Sequence, residues 1–144
     1  MKYYIATSLS RAPAHHTVRN SLASLGHEIS YDWTSHGNVK SVSKERLQEV
    51  GLLELEGISE SDFIVVLLPG GHGTHLELGF AIAGGKRIFL HSEDPLVFEL
   101  GPQTNAFYHH PEITHLHCPL ADVAAAVQSL LVQSTTLSEK IKSS

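Results

Sequence analysis

The sequence is short of the features that mark several large protein classes. It holds one cysteine, Cys118, so no disulfide can form within the chain. No apolar run approaches the roughly 20 residues that span a bilayer. The opening stretch, MKYYIATSLSR, is too short and too polar for a secretory signal. A cytoplasmic location without membrane contact is therefore expected. Basic residues are scarce, with 10 Lys and Arg against 15 Asp and Glu and a formal net charge of −5. That balance argues against a broad footprint for a nucleic acid polymer, although a small anionic ligand needs only a local site. No internal repeat, low-complexity segment or domain boundary interrupts the chain. Its 144 residues, 42% hydrophobic and 17% charged, suit one globular domain with one sizeable core.

Strand and helix signals alternate along this domain. Residues 2–7 (KYYIAT) read as a first strand, and residues 14–25 carry Val18, Leu22 and Leu25 at helical spacing before Gly26. Residues 27–33 alternate Ile29, Tyr31 and Trp33, which suits a second strand, and the polar residues 34–42 form a loop. Ser43 reads as the N-cap of a helix over residues 44–58, weakened by Gly51 and Gly57. Residues 62–68 are continuously apolar after Asp62, the pattern of a strand buried on both faces. A helix over 74–83, a strand over 87–91, an irregular stretch over 92–111 with a turn near 96–100, a strand over 113–118 and a helix over 120–133 follow. Residues 135–144 form a polar tail expected to fray, which leaves residues 1–134 as a single α/β domain. Five such units predict a doubly wound parallel sheet of order 2-1-3-4-5 with helices on both faces. Ligands in these sheets bind at the carboxyl ends of the strands, near the switch point between strands 1 and 3. Residues 7–11, 69–77 and the loop after His91 belong there.

The densest chemistry lies at that end. Pro69-Gly70-Gly71-His72-Gly73-Thr74 joins a strand to a helix. Its glycines permit a tight turn and close approach to a ligand, and the helix start offers unpaired N–H groups to an anion. A tight turn without a ligand is the plainer alternative. Glu77 is either the N3 member of a capping box begun by Thr74 or a functional carboxylate, ionised beside the helix N-terminus, that attacks or stabilises an oxocarbenium-like sugar carbon. Glu54 and Glu56 precede strand 3, and one of them can serve as the second carboxyl, a general acid or base, or both can be solvated. Tyr4, Ser8, Ser10 and Arg11 surround the end of strand 1, as sugar or 5′-phosphate contacts or as a polar loop. Eleven histidines are scattered through the chain. His72-x-x-His75-x-Glu77 and His115-x-His117-Cys118 match no strong metal spacing, so neither metal nor cofactor is expected. Cys118 reads as a small buried residue rather than a nucleophile.

Ser61-Asp62-Phe-Ile-Val-Val, Gly-Thr-His-Leu-Glu77-Leu-Gly79-Phe-Ala-Ile-Ala and Gly85-Lys86 together resemble the nucleoside 2-deoxyribosyltransferase family. That family includes deoxynucleoside monophosphate N-glycosidases. The resemblance extends to Tyr4-Ile-Ala-Thr-Ser-Leu-Ser and to residues 54–62, covering most of residues 3–91. It implies an enzyme of the N-glycosidic bond, with Glu77 as the nucleophile, Tyr4 assisting it and Glu54 in the place of the family's second acid, usually Asp. Transferases carry an Asp where this chain has Gly71, which tilts the expectation toward hydrolysis or a monophosphate substrate. Ser8 and Arg11 are approximate counterparts of the N-glycosidases' 5′-phosphate contacts. Gly70, Gly71, His72, Gly73 and Thr74 form the substrate turn. The resemblance further implies a homodimer or larger assembly, with Asn105 a candidate for a residue donated to a neighbouring subunit's site. A weaker similarity links Pro69-Gly-Gly-x-Gly-Thr-x-x-Glu77 to the PGGxGTxxE phosphoribohydrolases. A non-catalytic nucleotide-binding domain on the same fold is the expectation from a different class.

Overall fold

The computed structural model describes residues 1–143; Ser144, the last residue of the expected tail, lies outside the described residues. Five strands, β1 (Lys2–Ala6), β2 (Glu28–Ile29), β3 (Phe63–Leu67), β4 (Arg87–His91) and β5 (Ile113–Leu116), form one sheet. All pairings are parallel and the order is β2-β1-β3-β4-β5, as the alternation of elements requires. Four helices connect and flank the strands: α1 (Ala12–Ser24), α2 (Lys44–Ser59), α3 (His72–Ala83) and α4 (Val123–Ser143).

The period-two alternation of side chains sorts the core into two layers. Tyr3, Ile5, Phe63, Val65, Leu67 and Phe89 point to one face, where Val18 and Leu22 of α1 and Val123 and Val127 of α4 cover them. Tyr4, Ala6, Ile64, Val66, Ile88 and Leu90 point to the other, under Ile58 of α2 and Leu78 and Ala81 of α3. Every residue of β3 is buried, which explains its unbroken apolar run. The same alternation places Tyr4 beneath the two helices that carry Glu54 and Glu77.

Several boundaries differ from the sequence expectation. The second strand shrinks to two residues, Glu28 and Ile29, aligned with Lys2 and Tyr3, and its ladder ends where the Ser30 N–H donates to the Tyr3 carbonyl at 2.8 Å. Beyond them Ser30 turns inward, its hydroxyl donating to the Gly57 carbonyl at 2.7 Å, and residues Trp33–Ser35 coil into a 3-10 turn. The expected fraying tail is helical: α4 continues without a break to Ser143, with Lys140 and Lys142 in its last turn, where cations suit the helix dipole. Ser43 caps α2 as expected, accepting the Arg46 N–H at 3.0 Å.

Candidate active site

The end of β3 and the start of α3 define the site. The chain leaves β3 through a cis Leu68–Pro69 peptide and turns at Gly70, where a Cβ would stand 2.5 Å from the Thr74 methyl carbon. Gly70 is therefore required by packing rather than by a ligand. The helix begins two residues earlier than expected, with Gly71 as its N-cap. Thr74 occupies the third helical position, and its hydroxyl accepts the Gly71 N–H at 3.2 Å. This geometry corrects the capping-box reading of Glu77. Thr74 does the capping, and Glu77 sits one turn further along the helix, free of that duty and past the first turn where the dipole acts most strongly.

Glu77 points into a cavity of about 710 Å³ at the carboxyl ends of β1 and β3. Its Oε2 is sealed from solvent and has no hydrogen-bond partner. Burial pushes its carboxyl up to about 8, Tyr4 opposes the rise and the charge of Glu54 adds to it. Burial therefore works against an already ionised Glu77 and favours its protonated form near neutral pH. Desolvation dominates because the side chain sits between helix and sheet, where a charge loses its water. Tyr4 lies below, fully buried, and its Oη also lacks a satisfied hydrogen bond. Burial and the two nearby carboxylates push its phenol well above the ordinary value. Tyr4 and Glu77 feel each other's charge, but the contact falls short of a well-formed hydrogen bond. Glu54 of α2 lines the same cavity, and burial raises its carboxyl too, against the pull of His36. Glu56 is exposed and outside it.

The remaining expected residues divide. Ser8, Ser10, Gly71, His72, Gly73 and Thr74 line the cavity, the last four bringing the first N–H groups of α3 to its edge. Arg11 does not. Its Nη1 donates to the Leu68 carbonyl at 2.8 Å and ties the end of β3 to the loop after β1. Asn105 is also outside, because its Oδ1 accepts the N–H groups of Phe107 and Tyr108 and caps a 3-10 turn. The loop after His91 contributes nothing to the wall. His75 is used elsewhere, bonded to Gly71 and Tyr108, and among the described residues no group of three His, Cys, Asp or Glu gathers as a metal site requires.

The sequence did not reveal the far wall. Trp33, His36, Asn38, Val39 and Lys40 come from the loop after β2 and face Leu47, Val50 and Glu54 of α2. The Trp33 indole N–H donates to the Ile5 carbonyl at 2.8 Å, which pins the ring against β1. The cavity lining is therefore mixed. Leu9, Trp33, Val39, Leu47 and Val50 give it apolar surface, and Ser8, Ser10 and the start of α3 give it polar groups, with Glu54 and Glu77 both on its wall.

This architecture recurs in known enzymes. A CMP N-glycosidase of Clostridium botulinum matches 89% of this chain and 98% of its own, at a TM-score of 0.57 and 16% identity. A 2-deoxyribosyltransferase of Bacillus psychrosaccharolyticus matches 86% of this chain and 90% of its own, at a TM-score of 0.68 and 21% identity. The chain shares their fold. No protein-family model matches the sequence, and no curated protein matches it. Among the described residues no helix is long and apolar enough to cross a membrane.

Proposed function

We propose that this chain belongs with the nucleoside 2-deoxyribosyltransferases and N-glycosidases whose fold it shares, and cleaves the N-glycosidic bond of a nucleoside or nucleoside 5′-monophosphate. The observation that carries this reading is the pair of carboxyls, Glu54 and Glu77, set in one cavity above the unsatisfied Tyr4 hydroxyl. The apolar lining, with the Trp33 ring, suits a nucleobase. The serines and the start of α3 suit the sugar and any phosphate.

In this mechanism the Glu77 carboxylate bonds to the anomeric carbon as the carbon–nitrogen bond breaks. The departing base keeps the electron pair and takes a proton from Glu54. Water then gives its proton to the Glu54 carboxylate and attacks the same carbon, and Glu77 leaves as a carboxylate. Tyr4 steadies the charge that moves on and off Glu77. An acceptor base in place of water would make the reaction a transfer. Gly71 favours hydrolysis, because it puts no side chain where the resembled transferases hold sugar hydroxyls. There is room for one, since a Cβ at Gly71 would meet only the Ser8 hydroxyl, 3.8 Å away.

The test is chromatography of a panel of ribo- and deoxyribonucleosides and their 5′-monophosphates, with and without an added acceptor base. Free base is expected from at least one of them. Glu77→Gln should lower its release by on the order of 10⁴-fold. Glu54→Gln should cost on the order of 10²–10⁴-fold, most for the poorest leaving bases. Thermal stabilisation by a nucleotide without release of base would assign the fold to binding alone.

A further inference from the structure

His75 was a possible metal ligand by spacing, yet the structure gives it a different task. Its Nδ1 lies 2.7 Å from the Gly71 carbonyl and its Nε2 lies 2.7 Å from the Tyr108 hydroxyl. The two rings also stack, 5.8 Å apart at 29°. The Gly71 carbonyl accepts the His75 backbone N–H as well, at 3.2 Å, so both of its lone pairs go to one residue. Gly71 is at once the N-cap of α3 and part of the cavity wall.

The far end of this contact is itself held. Tyr108 is buried and sits in the 3-10 turn Ala106–His109, which Asn105 caps. Its carbonyl is bonded to His115 Nε2, and the His115 ring stacks on Phe98 at 4.2 Å. His109 packs edge-on against His115 and bonds to Thr104. A hydrogen-bonded and stacked cluster at the β5 edge of the sheet therefore ends on one hydroxyl within reach of His75.

We propose that His75 is a positioning residue: with Tyr108 it clamps the Gly71–Thr74 turn to the β5 side of the sheet and so sets the wall that faces the ligand. The clamp rests on the site reading above only in that this turn touches substrate. Its chemistry fixes the tautomer. A carbonyl can only accept, so Nδ1 carries the hydrogen and the Nε2 lone pair accepts the Tyr108 O–H. Asn105, expected to serve a neighbouring subunit's site, here acts within its own chain by holding the turn that presents Tyr108.

Long-range proton–nitrogen NMR on the whole protein reads the tautomer directly. The expected spectrum has His75 protonated at Nδ1 with a lone pair at Nε2, and Tyr108→Phe should move the Nε2 resonance. An Nε2-protonated ring overturns the proposal. In Tyr108→Phe the hydrogen-bonded amides of this turn, Gly71 and His75, should exchange faster by on the order of tenfold, the loss of one hydrogen bond. In a base-release assay the same variant should raise KM by on the order of tenfold and leave kcat within about twofold. His75→Asn keeps a donor for Gly71 but cannot reach Tyr108, so it should match Tyr108→Phe. Unchanged exchange and KM in both variants overturn the clamp. A fall in kcat alone does the same. If the wild-type protein releases no base from any substrate, the functional reading fails, while the tautomer and exchange measurements still decide the clamp.

Discussion

Glu77 carries both the proposed chemistry and a cost in stability. Its folded value of about 8 lies far above the 4.5 of an ordinary glutamate. Between those values the folded state keeps a proton that the unfolded state releases, so stability falls as pH rises through the window. Glu77→Gln should therefore become more stable than wild type above pH 8, by on the order of 1–2 kcal/mol in urea melts. Activity should follow a bell. Glu77 must be ionised while Glu54 keeps the proton it gives to the base, so kcat/KM should fall through an alkaline limb near pH 8, and a profile still rising above pH 8 would count against the Glu54–Glu77 pair. Glu54 and Glu77 influence each other, so the limb reports the pair. His15 shows the opposite dependence. It is fully buried between Trp33 and Asp32, neither ring nitrogen has a hydrogen-bond partner, and burial lowers it to about 4. Unfolding lets it take a proton near 6.5, so its contribution is intact above that pH and is lost on descent toward 4. His15→Leu should narrow the stability gap between pH 7 and pH 5, by about 1 kcal/mol.

At the scale of elements, α2 depends on a residue that seemed to weaken it. A Cβ on Gly57 would stand 2.7 Å from Tyr31 Cβ and 3.2 Å from the Tyr4 ring. The bare backbone lets the helix lie close over β1, which brings Glu54 over Tyr4. Gly57→Ala should cost about 1–3 kcal/mol in a thermal or denaturant melt despite the better helix propensity of alanine, and should depress base release as well. The same example shows what the sequence could and could not disclose. The sheet order, both core layers, the Ser43 cap and the convergence of Tyr4, Glu54 and Glu77 follow from periodicity, from the αβ alternation and from the resembled motif. The start of α3 does not, because Gly71 and Thr74 compete for the cap and only the Thr74 hydroxyl's reach decides it. Nor does the far wall. Trp33 looked like a strand residue, and nothing in a polar loop announces that it will fold back over a distant helix. Arg11 had the right chemistry for a ligand but donates to the Leu68 carbonyl, far away in sequence, which a pattern of residue types does not reveal.

At the scale of the molecule, the neighbouring helices α2 and α3 leave apolar side chains in water. Leu52 is 61% exposed and Leu76 74%, with Leu55 and Phe80 also exposed on the same two helices. We propose that this face pairs with a second copy of the chain, next to the cavity that the same helices line. Light scattering should give twice the 15.7 kDa chain mass, and Leu76→Asp with Phe80→Asp should return it to one. The opposite pole of the molecule is built differently. The cavity opens at the carboxyl ends of the strands, whereas α4 runs back past Gln128 and Thr135 to the side of Met1 and His27. Its last nine residues, 135–143, are exposed helix, a rod of about 13 Å at 1.5 Å per residue. A resin, an electrode or a dye coupled there would stand clear of the reaction, so the protein comes with its own spacer for mounting mouth-outward on a surface.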